Sequence, residues 1–96
     1  MITFNDIQSK LKGQKKELSE KYHIKYLAVF GSVSRGDSTE NSDIDILVDF
    51  NDSIGIEFID LADELEMILN HKVDLVSKNA IKPKYFEQIK NDLKYV

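Results

Sequence analysis

Two aspartates separated by one residue are the feature of this sequence with the clearest chemistry. Asp43 and Asp45 lie in an apolar run, so on a β-strand both carboxylates project from one face. Close carboxylates repel each other unless a proton or a cation lies between them, and hard divalent cations such as Mg²⁺ prefer oxygen ligands. The pair therefore predicts a metal site, which in two-metal enzymes holds ions about 3.5–4 Å apart. The alternative is a capped turn followed by a solvated strand face.

A Gly-Ser pair precedes the aspartates. Gly31-Ser32 follows a run of β-forming residues, and ten residues separate it from Asp43. Glycine allows close backbone approach and unusual dihedral angles, so main-chain N–H groups can cradle phosphate oxygens, and the serine adds a hydroxyl. A simple strand-terminating turn is the alternative. Gly31-Ser32 and Asp43-x-Asp45 together, each at a strand end, are more specific than either alone.

Hydrophobic periodicity predicts the elements that position these residues. The order is αβ(α)βαβα, an α/β (α+β) fold with three or more strands and helices packed on the sheet. Strand direction does not follow from the pattern. The expected elements are a helix over Phe4–Lys21 weakened at Gly13, a strand over Ile24–Phe30, a loop with one helical turn over Gly31–Ser42, a strand over Asp43–Phe50, a helix from Ile56 to about Asn70, a strand over Lys72–Ser77, and a last helix from Lys82-Pro83 with Tyr85, Phe86, Ile89 and Leu93 on its core face.

Length and composition limit the function classes. A chain of 96 residues predicts one domain over residues 1–96, with an open groove rather than a closed pocket. The net charge of −4 argues against bulk binding of nucleic acid. The absence of Cys excludes disulfides and thiolate chemistry. No segment has the roughly 20 apolar residues that cross a bilayer, so we expect a cytoplasmic protein without membrane contact.

The segment Gly31–Phe50, which reads GSVSRGDSTENSDIDILVDF, resembles the nucleotidyltransferase superfamily that includes DNA polymerase beta and kanamycin nucleotidyltransferase. Its GSxxRG and SDIDILV patterns and the chain length are most similar to the minimal nucleotidyltransferases, the MntA-like antitoxins. The resemblance implies the polymerase beta-like fold with a small mixed sheet. Family members often carry Ala where this chain has Ser34.

The resemblance also implies a third acidic residue on a later strand, and Asp74 occupies the matching place. Asp43, Asp45 and Asp74 would then be the catalytic and metal-binding residues, with Asp74 helping to deprotonate the incoming hydroxyl. By residue type the rivals of Asp74 are one aspartate of the second strand and two of the long helix: Asp49, Asp60 and Asp63.

Four residues form the expected nucleotide-binding set. Gly31 and Ser32 would bind the outgoing phosphates, and Ser42 would cap or orient the start of the second strand. Arg35 has two readings that both stay open: it reaches the triphosphate, or it pairs with Asp37 or Glu40 and holds the loop.

The activity implied by the resemblance is Mg²⁺-dependent transfer of NMP, specifically AMP from ATP, with two ions, onto a protein hydroxyl. The minimal members lack an acceptor-binding domain, so the acceptor would be another protein: in this family a HEPN-domain toxin, modified on tyrosine and neutralised as half of a toxin–antitoxin pair. Two alternatives stay open. The chain is a non-catalytic antitoxin that masks its partner, or it modifies a small molecule of the aminoglycoside type.

Overall fold

The computed structural model describes residues 1–96 and contains five α-helices, one 3₁₀ turn and four β-strands. In chain order they are α1 (Phe4–Lys12), α2 (Lys15–Tyr22), β1 (Ile24–Phe30), α3 (Gly31–Arg35), β2 (Ile44–Phe50), α4 (Glu57–Leu69), β3 (Val73–Ser77), α5 (Pro83–Ile89), the 3₁₀ turn (Lys90–Asp92) and β4 (Lys94–Tyr95). None of the helices is both long and apolar enough to cross a membrane.

The single N-terminal helix expected over Phe4–Lys21 is two helices. A capping box starts α1: the Asp6 amide donates to Thr3 Oγ1 at 3.2 Å, and the Thr3 amide donates to Asp6 Oδ2 at 2.9 Å. The helix ends at Gly13, a residue of low helix propensity, and the chain starts again at Lys15. The break lets each short helix turn its own apolar side chains toward the sheet.

The four strands form one mixed sheet in the order β3-β2-β1-β4. β1 and β2 are antiparallel, with Phe30 opposite Asp45. β2 and β3 are parallel, with Asp45 opposite Asp74. The mixed sheet with helices packed on it confirms the expected fold class, and the parallel pair places two of the three candidate acids side by side.

The expectation that the last helix includes Leu93 is wrong. α5 ends at Ile89, and after the 3₁₀ turn Leu93 is extended and leads into β4, which pairs antiparallel with β1. Only two residues of β4 pair, Tyr95 with Ala28 and Lys94 with Val29. So short a strand depends on distant partners and leaves no period-2 pattern in the sequence.

The sheet is buried on both faces. The larger core packs α1, α2 and α4 against one face, which β2 lines with Ile44, Ile46 and Val48. On the opposite face Leu47 is fully buried in a smaller cluster with Phe30 and Ile89. Phe86 and Leu93 pack against that cluster, but Tyr85 is 44% exposed, so its expected core position is wrong.

Candidate active site

Asp45 and Asp74 lie in register across the parallel β2–β3 pair, so their side chains leave the sheet on the same face. Asp45 is half-buried, whereas Asp74 and Asp43 are exposed. Burial, and then the negative charges of Asp74 and Asp43, raise the pKa of Asp45 to about 6. The fold therefore brings the three candidate acids together at one end of the sheet, with their mutual repulsion only partly compensated.

The chemistry of this donor set fits a hard divalent cation, because all three groups are carboxylates and their negative charge lacks a full counterion. As the side chains stand, no three His, Cys, Asp or Glu residues are close enough together to hold a metal ion. Binding would therefore require rotation of the exposed side chains of Asp43 and Asp74 about their single bonds. None of the surface pockets is lined by these aspartates, so the site is open, as expected for a chain of this size.

Gly31 is in direct contact with the Asp45 carboxylate. It begins α3 immediately after β1, and its φ of +74° lies in the left-handed region. A Cβ built on Gly31 would collide with Asp45 Oδ2. Both the backbone conformation and the close approach of Asp45 therefore require glycine; the unusual dihedral angles agree with the sequence expectation, and phosphate binding at Gly31 stays a prediction. Because no side chain caps α3, the first-turn amides next to Ser32 remain free to meet an anion.

Arg35, the last residue of α3, is bound by two carboxylates. Its Nε donates to Asp37 Oδ2 at 3.1 Å, and a terminal nitrogen donates to Asp92 Oδ2 at 3.0 Å. The buried Ser34 hydroxyl donates to the main-chain carbonyl of Asp92. Of the two partners expected for a loop-holding role, Asp37 is present and Glu40 is not. We call the contacts of Ser34 and Arg35 with Asp92 the C-terminal latch.

Sequence reasoning missed Asp92 as a member of this site. It lies 57 residues after Arg35, and in the expected last helix it is one ordinary polar residue before Leu93. The latch joins α3 to the 3₁₀ turn, so the C-terminal segment supports the Gly31-Ser32 backbone. The sequence indicates only that an arginine in a loop needs an anionic partner. It contains 17 acidic residues, and nothing in it identifies Asp92 as that partner.

Ser42 closes the turn that precedes β2. Its hydroxyl accepts a hydrogen bond from the Thr39 amide at 2.9 Å, and its own amide donates to the Thr39 carbonyl at 3.1 Å. This turn sets the direction in which the chain enters Asp43 and β2. The contact agrees with an orienting role for Ser42; a direct contact with nucleotide stays a prediction.

The rivals of Asp74 lie in other environments. Asp49 is further along β2, where its Oδ1 accepts a hydrogen bond from the Phe50 amide at 3.0 Å. Asp60 and Asp63 are exposed on α4. Of these four aspartates, only Asp74 lies opposite Asp45, so its position within the sheet favours it as the third acid.

Comparison with known proteins shows the family of this chain. A family model described as the nucleotidyltransferase domain matches residues 11–96. A Methanocaldococcus jannaschii chain, named provisionally as a protein adenylyltransferase, is 44% identical over 98 residues, which cover 100% of both chains. Protein adenylyltransferase MntA of Thermococcus cleftensis is 40% identical over 100% of this chain and 98% of that protein.

A solved structure shares the fold at greater distance. A chain in the crystal structure of a toxin–antitoxin with AMP-PNP matches with a TM-score of 0.72 and 28% identity, over 88% of this chain and 70% of that one. The family model and the similar relatives together show that the present protein belongs to the nucleotidyltransferase domain family, within its minimal, MntA-like group. It is a nucleotidyltransferase.

Proposed function

We propose that this chain transfers AMP from ATP to a hydroxyl group of a HEPN-domain toxin and so acts as an antitoxin. The observation that carries the proposal is the packing of Gly31 on Asp45, which stands in register with Asp74. The first turn of α3 thus adjoins a pair of carboxylates. Relatives named as protein adenylyltransferases and the similar toxin–antitoxin chain crystallised with AMP-PNP support adenine as the base and a protein as the acceptor.

The reaction would be an in-line displacement at the α-phosphorus. The acceptor oxygen forms a bond to the α-phosphorus, the bond from that phosphorus to the bridging oxygen of the β-phosphate breaks, and pyrophosphate leaves. The hydroxyl proton passes to the carboxylate of Asp74. The free amides at Gly31 and the Ser32 hydroxyl bind the departing phosphates.

Asp43, Asp45 and Asp74 would hold two Mg²⁺ ions. When bound, the ions neutralise phosphate and carboxylate charge together. The raised pKa of Asp45 supports this part of the proposal, because it reflects burial of the carboxyl and then the nearby negative charges of Asp74 and Asp43, both of which a bound cation would offset. Arg35 is engaged by Asp37 and Asp92, and we assign it to holding α3 rather than to binding the triphosphate.

The acceptor residue is proposed to be a tyrosine. An open site can admit a phenol presented by another protein: Asp43 and Asp74 are exposed, and no surface pocket is lined by the three aspartates. The tyrosine assignment follows the family resemblance, and peptide mapping of the modified partner identifies the residue directly.

The test uses labelled ATP, Mg²⁺ and the product of the adjacent gene, which the proposed function predicts to be a HEPN-domain protein. Label on the partner that disappears with Asp43→Ala/Asp45→Ala is the expected result. The matched control is Asp60→Ala/Asp63→Ala, which removes two exposed aspartates of α4 and should transfer label normally. If the Asp43/Asp45 variant neutralises the toxin without labelling it, the chain acts by binding, and label on an added aminoglycoside alone would identify a small-molecule acceptor.

A further inference from the structure

The outer edge of β3 presents main-chain groups that the sheet does not use. β3 is the end strand. On its inner side the Lys72 carbonyl accepts from the Ile44 amide at 2.9 Å, and the Lys78 amide donates to the Val48 carbonyl at 2.8 Å. In a parallel ladder alternate residues face the neighbouring strand. The main-chain groups that point outward therefore belong to the residues between: Val73, Leu75 and Ser77.

Two of the outward groups have partners within the chain. The Val73 amide donates to Glu66 Oε2 at 2.9 Å. The Ser77 carbonyl accepts from the amides of Ala80 and Ile81 at 3.0 and 3.1 Å. The middle of the edge stays open: the Leu75 amide and carbonyl, the Ser77 amide and the Val73 carbonyl. Such a row of unused donors and acceptors is the template for an added strand.

An apolar groove of about 460 Å³ runs beside the same residues. Five of its six lining residues are hydrophobic, and they come from the segment before α4, from the first turn of α4, from β3 and from the turn after β3: Ile54, Phe58, Leu75, Val76, Ser77 and Ala80. In a chain with a net charge of −4, a lysine stands at each end of the strand, Lys72 and Lys78. The edge thus suits an extended segment with an apolar side chain and acidic flanking residues.

We propose that the open edge of β3 docks an extended segment of the acceptor protein by β-strand addition. The proposal rests on the proposed function, since it names how the acceptor reaches the site. An added strand lies about 4.8 Å from β3. A residue opposite Asp74 would rise from the same face as Asp45 and Asp74, which brings its hydroxyl to the acids, while a neighbouring apolar residue fills the groove.

A second copy of this chain fits the edge less well. Antiparallel pairing of β3 with β3 would set Lys72 of one copy near Lys78 of the other, and like charges facing each other across a strand pair are destabilising. Such pairing would also place β3 of one copy beside Asp74 of the other. The only side-chain hydroxyl on β3 is that of Ser77, so a second copy would offer the acids little to modify. The acceptor segment is therefore the occupant.

The test measures binding of the neighbouring HEPN-domain protein to the full chain by calorimetry, and amide hydrogen exchange in the complex. Exchange at Leu75 and Ser77 should slow about tenfold or more on binding. Ser77→Pro removes one outward donor, and Ala80→Trp fills the groove. Each should weaken binding about five- to tenfold, as expected for the loss of one main-chain hydrogen bond or of one apolar contact. Asn79→Trp, an exposed neighbour that does not line the groove, is the matched control.

Melting temperatures establish that each variant is folded, and Ala80→Trp keeps the test decisive if Ser77→Pro unfolds the strand. Unchanged affinity and unchanged exchange at Leu75 would overturn the proposal. So would slow exchange at these amides in the isolated chain together with a doubled mass, because the edge would then belong to a second copy. Weakened binding with no label transferred by the wild-type chain leaves the docking edge in place and refutes the proposed function.

Discussion

Replacing Asp45 with Asn should stabilise the metal-free protein at neutral pH. The Asp45 carboxyl is half-buried, and burial together with the charges of Asp74 and Asp43 raises its pKa to about 6. A carboxyl whose pKa is higher in the folded than in the unfolded state favours folding in its protonated form. Its contribution is complete below about pH 4 and is lost as the pH rises through about 6. At pH 7.5 the folded chain carries the full electrostatic cost of the ionised group.

The magnitude follows from the two pKa values. A rise from 3.8 to about 6 corresponds to roughly 3 kcal/mol if no solvent screened the charges. More than a third of the group is exposed, and screening reduces this to about 1–2 kcal/mol. For a domain of this size each kcal/mol moves the melting temperature by about 4–8 °C. Asn keeps the side-chain volume and can donate a hydrogen bond to Asp74, so packing changes little.

The assay is thermal unfolding of both chains from pH 4 to pH 8 in the presence of a chelator, and then with millimolar Mg²⁺. The melting temperature of Asp45→Asn should exceed that of the wild type at pH 7.5 and match it near pH 4. Added Mg²⁺ should raise the melting temperature of the wild type and leave that of the variant nearly unchanged. Asp63→Asn, on the exposed face of α4, controls for the loss of one negative charge. A variant less stable than the wild type by the same amount at every pH would refute an electrostatic origin.

Three further predictions concern the same end of the sheet. Gly31→Ala should abolish label transfer and lower stability by about 2 kcal/mol or more, since it strains a left-handed residue and displaces Asp45; calorimetric binding of an ATP analogue and thermal unfolding check it. Asp74→Asn should lower kcat about 100-fold or more with KM for ATP nearly unchanged, whereas Asp49→Asn should retain activity; equal losses would contradict the choice of Asp74. Arg35→Ala and Asp92→Ala should be non-additive in a double-mutant cycle of the free energy of unfolding, and strict additivity would show that the latch does not form in solution.

The elements with long apolar periods could be predicted from the sequence, and those held by distant contacts could not. The spans of β1 and β2 and the existence of α4 and β3 follow from runs of apolar residues with a period of 2 or 3.6. β4 is two residues long and pairs with a strand more than 60 residues earlier. The directions of the strands could not be predicted from the sequence, because each connection is long enough for a parallel or an antiparallel pair.

The spacing of residues within β2 predicted part of the site, but it gave no information on the contacts between strands. The alternation on β2 requires Asp45 to share a face with Leu47 and to oppose Ile44 and Ile46, and the structure has this arrangement. That Asp74 stands opposite Asp45 is a matter of register between two strands, which no single-strand pattern specifies. Asp74 came instead from the family resemblance.

The pairing of Arg35 with Asp92 gives the C-terminal segment a part in the site. α3 has five residues, too few to be stable alone, and in the proposed function its first turn, which begins at Gly31, binds phosphate. It is held on one side by its contact with Asp45 and on the other by the hydrogen bonds of Ser34 and Arg35 to Asp92. The 3₁₀ turn is in turn fixed by β4, which pairs with β1, the strand that leads into α3. Contacts from Asp45, from the 3₁₀ turn and from β1 thus surround Gly31, so the last residues of the sequence stabilise the turn to which the proposed function assigns phosphate binding.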